Sequence, residues 1–212
     1  MAVSKFHPAE AVKEAYSAGI RLFGESRVQE ALSKFDDALK AGLPGAALHM
    51  IGNLQSNKIN KALESFDCIQ SIGSRELLEA VAVRVLKTGR EIPLLLELHT
   101  GEASKAGFPD VEALLRAVEE EFEREQRGFY REEGGGRVRL AGLMTMAPYT
   151  DSEPELRRSF RILAACAEKV RKGFGLDRFD ELSMGMSGDF EIAIEEGSTL
   201  VRVGTALFGE RH

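Results

Sequence analysis

Short apolar runs, many rich in β-branched residues, alternate along this chain with longer stretches whose apolar positions recur at helical spacing. That alternation is the signature of repeated βα units around a parallel sheet. Eight runs stand out: Met1 to Ser4, Arg21 to Gly24, Leu48 to Gly52, Cys68 to Ile72, Ile92 to Leu98, Val138 to Thr145, Glu181 to Met184 and Leu200 to Val203. Eight is the number a TIM-type (β/α)8 barrel requires, and 212 residues lie near the lower end of what that fold needs. The pattern therefore predicts an α/β fold, a single domain over residues 1–212.

Helix punctuation supports the reading. Pro8 suits a first helical turn and Gly19 a stop, with Val12, Ala15 and Tyr16 on one face between them. After the sixth run, Asp151 and Ser152 offer capping oxygens and Pro154 fits the first turn. Leu156, Phe160, Leu163, Ala167 and Val170 then form a stripe, and Gly173 supplies the stop. Asp189 to Glu196 reads as a short helix. Residues 119–137, dense in charge and closing on three glycines, read as a helix end running into a flexible, solvated excursion.

Composition narrows the function classes. The 28 basic and 34 acidic residues are interspersed and leave a net charge of −6, so nucleic acid and anionic membrane are not expected partners. The cysteines, Cys68 and Cys166, are too few for a disulfide framework, and no metal-ligand spacing is present. No apolar run exceeds strand length. A cytoplasmic, metal-free protein is expected.

In a βα barrel the reactive groups sit at the C-terminal ends of the strands, where the mouth is open. Lys5 closes the first run. There its amine would be partly desolvated and usable as a nucleophile toward an aldehyde, although a solvated lysine at a frayed terminus has the same sequence appearance. The loops after runs seven and eight contain Gly185, Ser187, Gly188, Gly204 and Thr205, a composition that allows backbone N–H groups and hydroxyls to approach a phosphate. Structural glycines and capping hydroxyls would look alike. Arg202 lies inside the last apolar run and needs a partner, either an ion pair with a neighbouring strand or an acceptor on a ligand. A pyridine nitrogen would serve as that acceptor, and an arginine opposite would keep it unprotonated.

Taken in order, Ala2-Val3-Ser4-Lys5, Phe23-Gly24-Glu25, the block His49 to Lys58, Gly142-Leu143-Met144, Leu182 to Ser187 and Val201 to Thr205 resemble the pyridoxal phosphate homeostasis protein family, the YggS/PROSC type. The resemblance implies a barrel like the N-terminal domain of alanine racemases, with pyridoxal 5'-phosphate held as an internal aldimine, a Schiff base, on Lys5. It implies a phosphate cradle of Ser187, Gly204 and Thr205, with Arg202 facing the pyridine nitrogen. Asn53 and Met184 would line or support the mouth, together with Gly24, Gln55 and Asn57. Relative to the family pattern, the leading helix before the lysine strand is lacking, and Ser26, Leu98 and Gly73 replace polar residues common at those positions.

Two functions follow from the resemblance. One is a carrier that binds the cofactor and influences the vitamin B6 and amino-acid pools, with no catalytic residue of its own. The other is an amino-acid racemase-like enzyme, which needs an acid/base opposite the lysine. In racemases a tyrosine from a second domain supplies that group. Of the three tyrosines here, Tyr16 and Tyr130 sit in helix-like or charged stretches, and only Tyr149 could reach the mouth, with packing or a solvent-edge role as its competing explanation. Expected partners are the cofactor, with pyridoxal phosphate-dependent apoenzymes or amino acids beyond it. The chain itself is expected to be a monomer or weak dimer.

Overall fold

The computed structural model describes residues 1–101, 106–128 and 135–209. Seven strands form one parallel sheet in sequential order: β1 (Ala2–Val3), β2 (Leu22–Glu25), β3 (Ala47–Met50), β4 (Cys68–Ile72), β5 (Glu91–Glu97), β6 (Arg137–Met144) and β7 (Glu181–Ser183). Sequential order with parallel pairing demands a crossover between each pair of successive strands. The helices are α1 (Ala9–Ser17), α2 (Val28–Lys34), α3 (Asp37–Ala41), α4 (Ile59–Ser65), α5 (Arg75–Val85), α6 (Val111–Gln126), α7 (Glu153–Phe174), α8 (Phe190–Glu195) and α9 (Thr205–Phe208). Helices α1 to α7 supply the crossovers, while α8 and α9 follow β7. Strands packed on both faces are buried throughout, as β4 is at all five positions, although Gln70 and Ser71 make it only partly apolar.

The sheet is curled. Ser183 on β7 donates its hydroxyl to Gln70 Oε1 on β4 at 2.7 Å. In a flat sheet those strands, three spacings apart, would stand roughly 14 Å from one another. The bond is therefore a chord across the concave side, where Cys68, Leu95, Ala141 and Met144 also cluster. The larger core lies between sheet and helices, and includes Phe23, Ile69, Leu94, Leu96, Phe160 and Leu163.

The predicted eighth strand is not one. Leu200 to Val203 makes two single parallel bridges, Ser183 with Leu200 and Ala2 with Val203, in place of a ladder. Its pairing to β7 is irregular because the N–H groups of Thr199 and Leu200 share the Leu182 carbonyl. Even so, this segment holds β1 firmly: Val203 N–H donates to Met1 O at 3.0 Å, Val3 N–H to Val203 O at 2.8 Å, and the Met1 amino group to Val201 O at 3.0 Å.

Helix α1 stops at Ala18 before Gly19, as its punctuation predicts, but begins at Ala9, with Pro8 extended just before the first turn rather than within it. The whole α7 stripe is buried. Two details differ. Ser152 precedes α7 but makes no side-chain cap, and the helix runs through Gly173 to Gly175, whose φ of 64° provides the left-handed stop. Residues 119–126 belong to α6, with Glu121 buried, and 129–134, including Tyr130, lie outside the described residues.

Gly173 thus carries helix-interior entropy with open space around it. Gly173→Ala should stabilise the protein by roughly 0.5–1 kcal/mol in urea unfolding. By contrast, a Cβ at Gly142 would collide with the Glu181 carbonyl across the β6–β7 contact. Gly142→Ala should cost more than about 2 kcal/mol in the same measurement.

Candidate functional site

Lys5 stands two residues past β1, separated from it by Ser4, and the chain turns sharply after it: Phe6 adopts φ 66°, a left-handed conformation unusual for a bulky residue. Its N–H is held by Glu30 Oε1 at 2.5 Å. Behind the turn lies a buried charged cluster. Lys34 Nζ donates to Glu25 Oε1 at 2.8 Å, to the Ser4 carbonyl at 2.7 Å and to Glu30 Oε1 at 3.3 Å, while Ser4 Oγ donates to Glu25 Oε1 at 2.7 Å. Burial pushes the Glu25 carboxyl above its ordinary range, against the pull of Lys34 and Ser4. Ser4 N–H also bonds Gly24 O, and His7 stacks on Phe208 with ring centres 4.8 Å apart. The backbone on both sides of Lys5 is therefore fixed by the fold.

Lys5 lines a cavity of about 240 Å³ at the C-terminal ends of the strands. Ser187, Arg202, Gly204 and Thr205 line it as well, so five of the predicted site residues meet there. Ser187 Oγ accepts from the N–H groups of Gly204 at 3.3 Å and Ala206 at 3.2 Å, tying the loop after β7 to the start of α9. Asp189 Oδ1 accepts from Met186 N–H and shapes the same loop. Gly185 is required there for a separate reason: at φ 95° its missing side chain makes room for Ala193 and Phe190 of α8.

Asn53 and Met184 do not line this cavity. Met184 is fully buried in the core behind it, and Asn53 is exposed in a separate groove with Ser26, Arg27, Gln55 and Lys58. Sequence reasoning missed Val3, His7, Ile51, Met144, Met146 and Met186 as lining residues. Each stands at or just after a strand end, and Val3, Ile51, Met144 and Met186 lie within the blocks that carry the family resemblance.

Arg202 is buried and forms no ion pair with a neighbouring strand among the described residues. Its Nη1 donates to Ser183 Oγ at 2.8 Å and its Nη2 to the Thr145 carbonyl at 2.7 Å. Burial lowers its pKa to about 10, with Asp189 and Glu97 opposing from a distance. From Ser183 a hydrogen-bond chain continues to Gln70 and then to Nδ1 of His49, reached by Gln70 Nε2 at 2.7 Å. Burial lowers the His49 pKa to about 4, so the imidazole is neutral near pH 7.

Tyr149 stands fully in solvent, and the Tyr16 hydroxyl is committed to the Pro44 carbonyl. Among the described residues no tyrosine lines the cavity and no group of three or more metal-ligating side chains exists. A larger cavity, about 550 Å³, opens at the N-terminal ends of β5 and β6, where Arg137, Arg139 and Arg178 are bridged by Glu91. It is remote from Lys5. No helix among the described residues is long and apolar enough to cross a membrane.

The family model described as "Alanine racemase, N-terminal domain" matches residues 1–212. The pyridoxal phosphate homeostasis protein of Aquifex aeolicus is 34% identical across the whole of this chain and 86% of its own length. That of Vibrio alginolyticus is 37% identical across the whole of this chain and 85% of its own. PipY of Synechococcus elongatus, solved with PLP bound, superposes with a TM-score of 0.85 at 38% identity, covering 99% of this chain and 91% of that one. The chain is a parallel α/β protein with the alanine racemase N-terminal fold, and it belongs to the pyridoxal phosphate homeostasis protein family.

Two measurements probe the site directly. Lys34→Met leaves the buried Glu25 carboxylate unpaired and should destabilise the protein by about 3 kcal/mol in chemical denaturation. His49 takes up a proton near pH 6.5 when unfolded but only near pH 4 when folded. Its contribution is thus present above pH 6.5 and lost as pH falls between those values. His49→Asn should remove a loss on the order of 2 kcal/mol from the stability profile between pH 6.5 and pH 4.

Proposed function

We propose that this protein binds pyridoxal 5'-phosphate in the Lys5 cavity and acts in the homeostasis of that cofactor and of amino acids. The observation that carries the reading is the convergence in one cavity of a lysine from the first strand with Ser187, Arg202, Gly204 and Thr205 from the other end of the chain.

The donor set fits the group. Bound pyridoxal phosphate supplies an aldehyde that a lysine amine can capture and a ring that acts as an electron sink. Lys5 provides the amine from a backbone turn pinned by Glu30. Ser187, the backbone of Gly204 and Thr205 offer donors of the kind a phosphate takes. Arg202 keeps its charge without a carboxylate contact and presents donors to a ring nitrogen, which it cannot protonate. Met184 would support the cavity from the core, whereas Asn53 would act only from its separate groove, without lining the cavity.

On this reading the Leu200–Val203 segment is the eighth stave of a single-domain TIM-type barrel, closing β7 against β1. The two reduced, buried cysteines suit a cytoplasmic protein. Partners beyond the cofactor are pyridoxal phosphate-dependent apoenzymes or amino acids, and the chain acts as a monomer or weak dimer. We favour a carrier over a racemase-like enzyme because Tyr149, the tyrosine that reading would call on, is fully exposed and does not line the cavity.

The test is reconstitution with pyridoxal phosphate, followed by gel filtration, borohydride reduction and peptide mapping. Near-ultraviolet to violet absorbance should survive filtration, and the reduced adduct should map to Lys5. In Lys5→Ala the adduct should disappear, and an identical adduct in that variant would refute the assignment. Deuterium exchange at the α-carbon of amino acids at enzymatic rates would replace the carrier reading with the racemase-like one.

A further inference from the structure

Arg202 sits at one end of a buried hydrogen-bond chain whose sense can be worked out atom by atom. A guanidinium donates only, so Ser183 Oγ must accept from Nη1. The single Ser183 hydroxyl proton is then directed to Gln70 Oε1. That leaves the Gln70 amide Nε2 to donate to His49, whose Nδ1 must carry a lone pair. His49 is therefore neutral, with its proton on Nε2. Three of these four residues come from β3, β4 and β7, and Arg202 lies in the segment between β7 and β1. The chain crosses the concave side of the sheet from one flank to the other.

We infer that His49, Gln70 and Ser183 are positioning residues for Arg202: they form a directional relay that fixes the guanidinium at the cavity and makes its orientation depend on a neutral His49. For what Arg202 faces, this rests on the pyridoxal phosphate reading above.

The environment of His49 favours the required state. Burial is the main influence, the Met1 amino group acts in the same direction, and Asp67 opposes both. Asp67 itself accepts from Leu48 N–H at 2.8 Å and from Arg90 at 3.4 Å, so its charge is partly engaged. A proton on His49 Nδ1 would turn an acceptor into a donor. Gln70 would have to reverse its amide, leaving two donors, Gln70 Nε2 and Arg202 Nη1, aimed at Ser183. The relay therefore links a residue that does not line the cavity to one that does.

The first measurement needs no cofactor. In the ¹⁵N-labelled protein before addition of pyridoxal phosphate, long-range ¹H–¹⁵N correlations should show His49 as the Nε2–H tautomer from pH 8 down to pH 5. A charged imidazole or an Nδ1–H tautomer at pH 7 would overturn the relay, whether or not the cofactor binds. The second uses variants loaded with pyridoxal phosphate. Gln70→Leu keeps the volume and cuts the chain, and should weaken cofactor binding about tenfold. It should also shift the cofactor's absorbance or its pH dependence, while the borohydride adduct still maps to Lys5. Gln70→His retains one acceptor and one donor in a single ring, and should restore both affinity and spectrum. Wild-type affinity and spectrum in Gln70→Leu would refute the inference. Absence of any cofactor absorbance in the wild type would instead refute the proposed function, and the tautomer measurement would still decide the relay.

Discussion

The structure depends on the hydrogen bonds that join residues 1–3 to residues 201–203. They link parts of the chain separated by about 200 residues, and they exist only because the intervening βα units curl the sheet far enough to bring its ends together. Without them β1 would be paired only to β2. Lys5 and Arg202 would then belong to opposite edges of an open sheet. With them, both residues line one cavity.

The same contact accounts for how Lys5 is held. Here the preceding strand is bonded on both sides, Ser4 is engaged through its N–H, carbonyl and hydroxyl, and the following residue is pinned by Glu30. The buried Glu25–Lys34 pair beneath adds a constraint that tolerates no loss of either partner. Stability and site geometry are thus coupled through one small cluster.

The concave side of the curled sheet carries a polar path beside its apolar side chains. Cys68, Leu95, Ala141 and Met144 provide the apolar filling, while His49, Gln70, Ser183 and Arg202 form a continuous chain of donors and acceptors. A buried polar network is tolerable only when its members are mutually satisfied. Each link here has a fixed sense, beginning at a group that can only donate.

The sequence alone determined the order of strands and helices, because apolar periodicity and turn residues such as Pro8, Gly19 and Pro154 act locally. It also singled out Lys5, Ser187, Arg202, Gly204 and Thr205, since strand-end position follows from that periodicity and the family resemblance named their roles. What it left open needed three dimensions. The irregular bridging of Leu200 to Val203, the burial of Met184 and the separate groove of Asn53 depend on which residues pack against them. Whether Arg202 took an ion pair or neutral acceptors could not be read from spacing either. Its partners Ser183 and Thr145 come from two different strand ends, and the Gln70–His49 extension exists only because the sheet is curled. Local pattern fixed where each strand ends; long-range closure decided what those ends face.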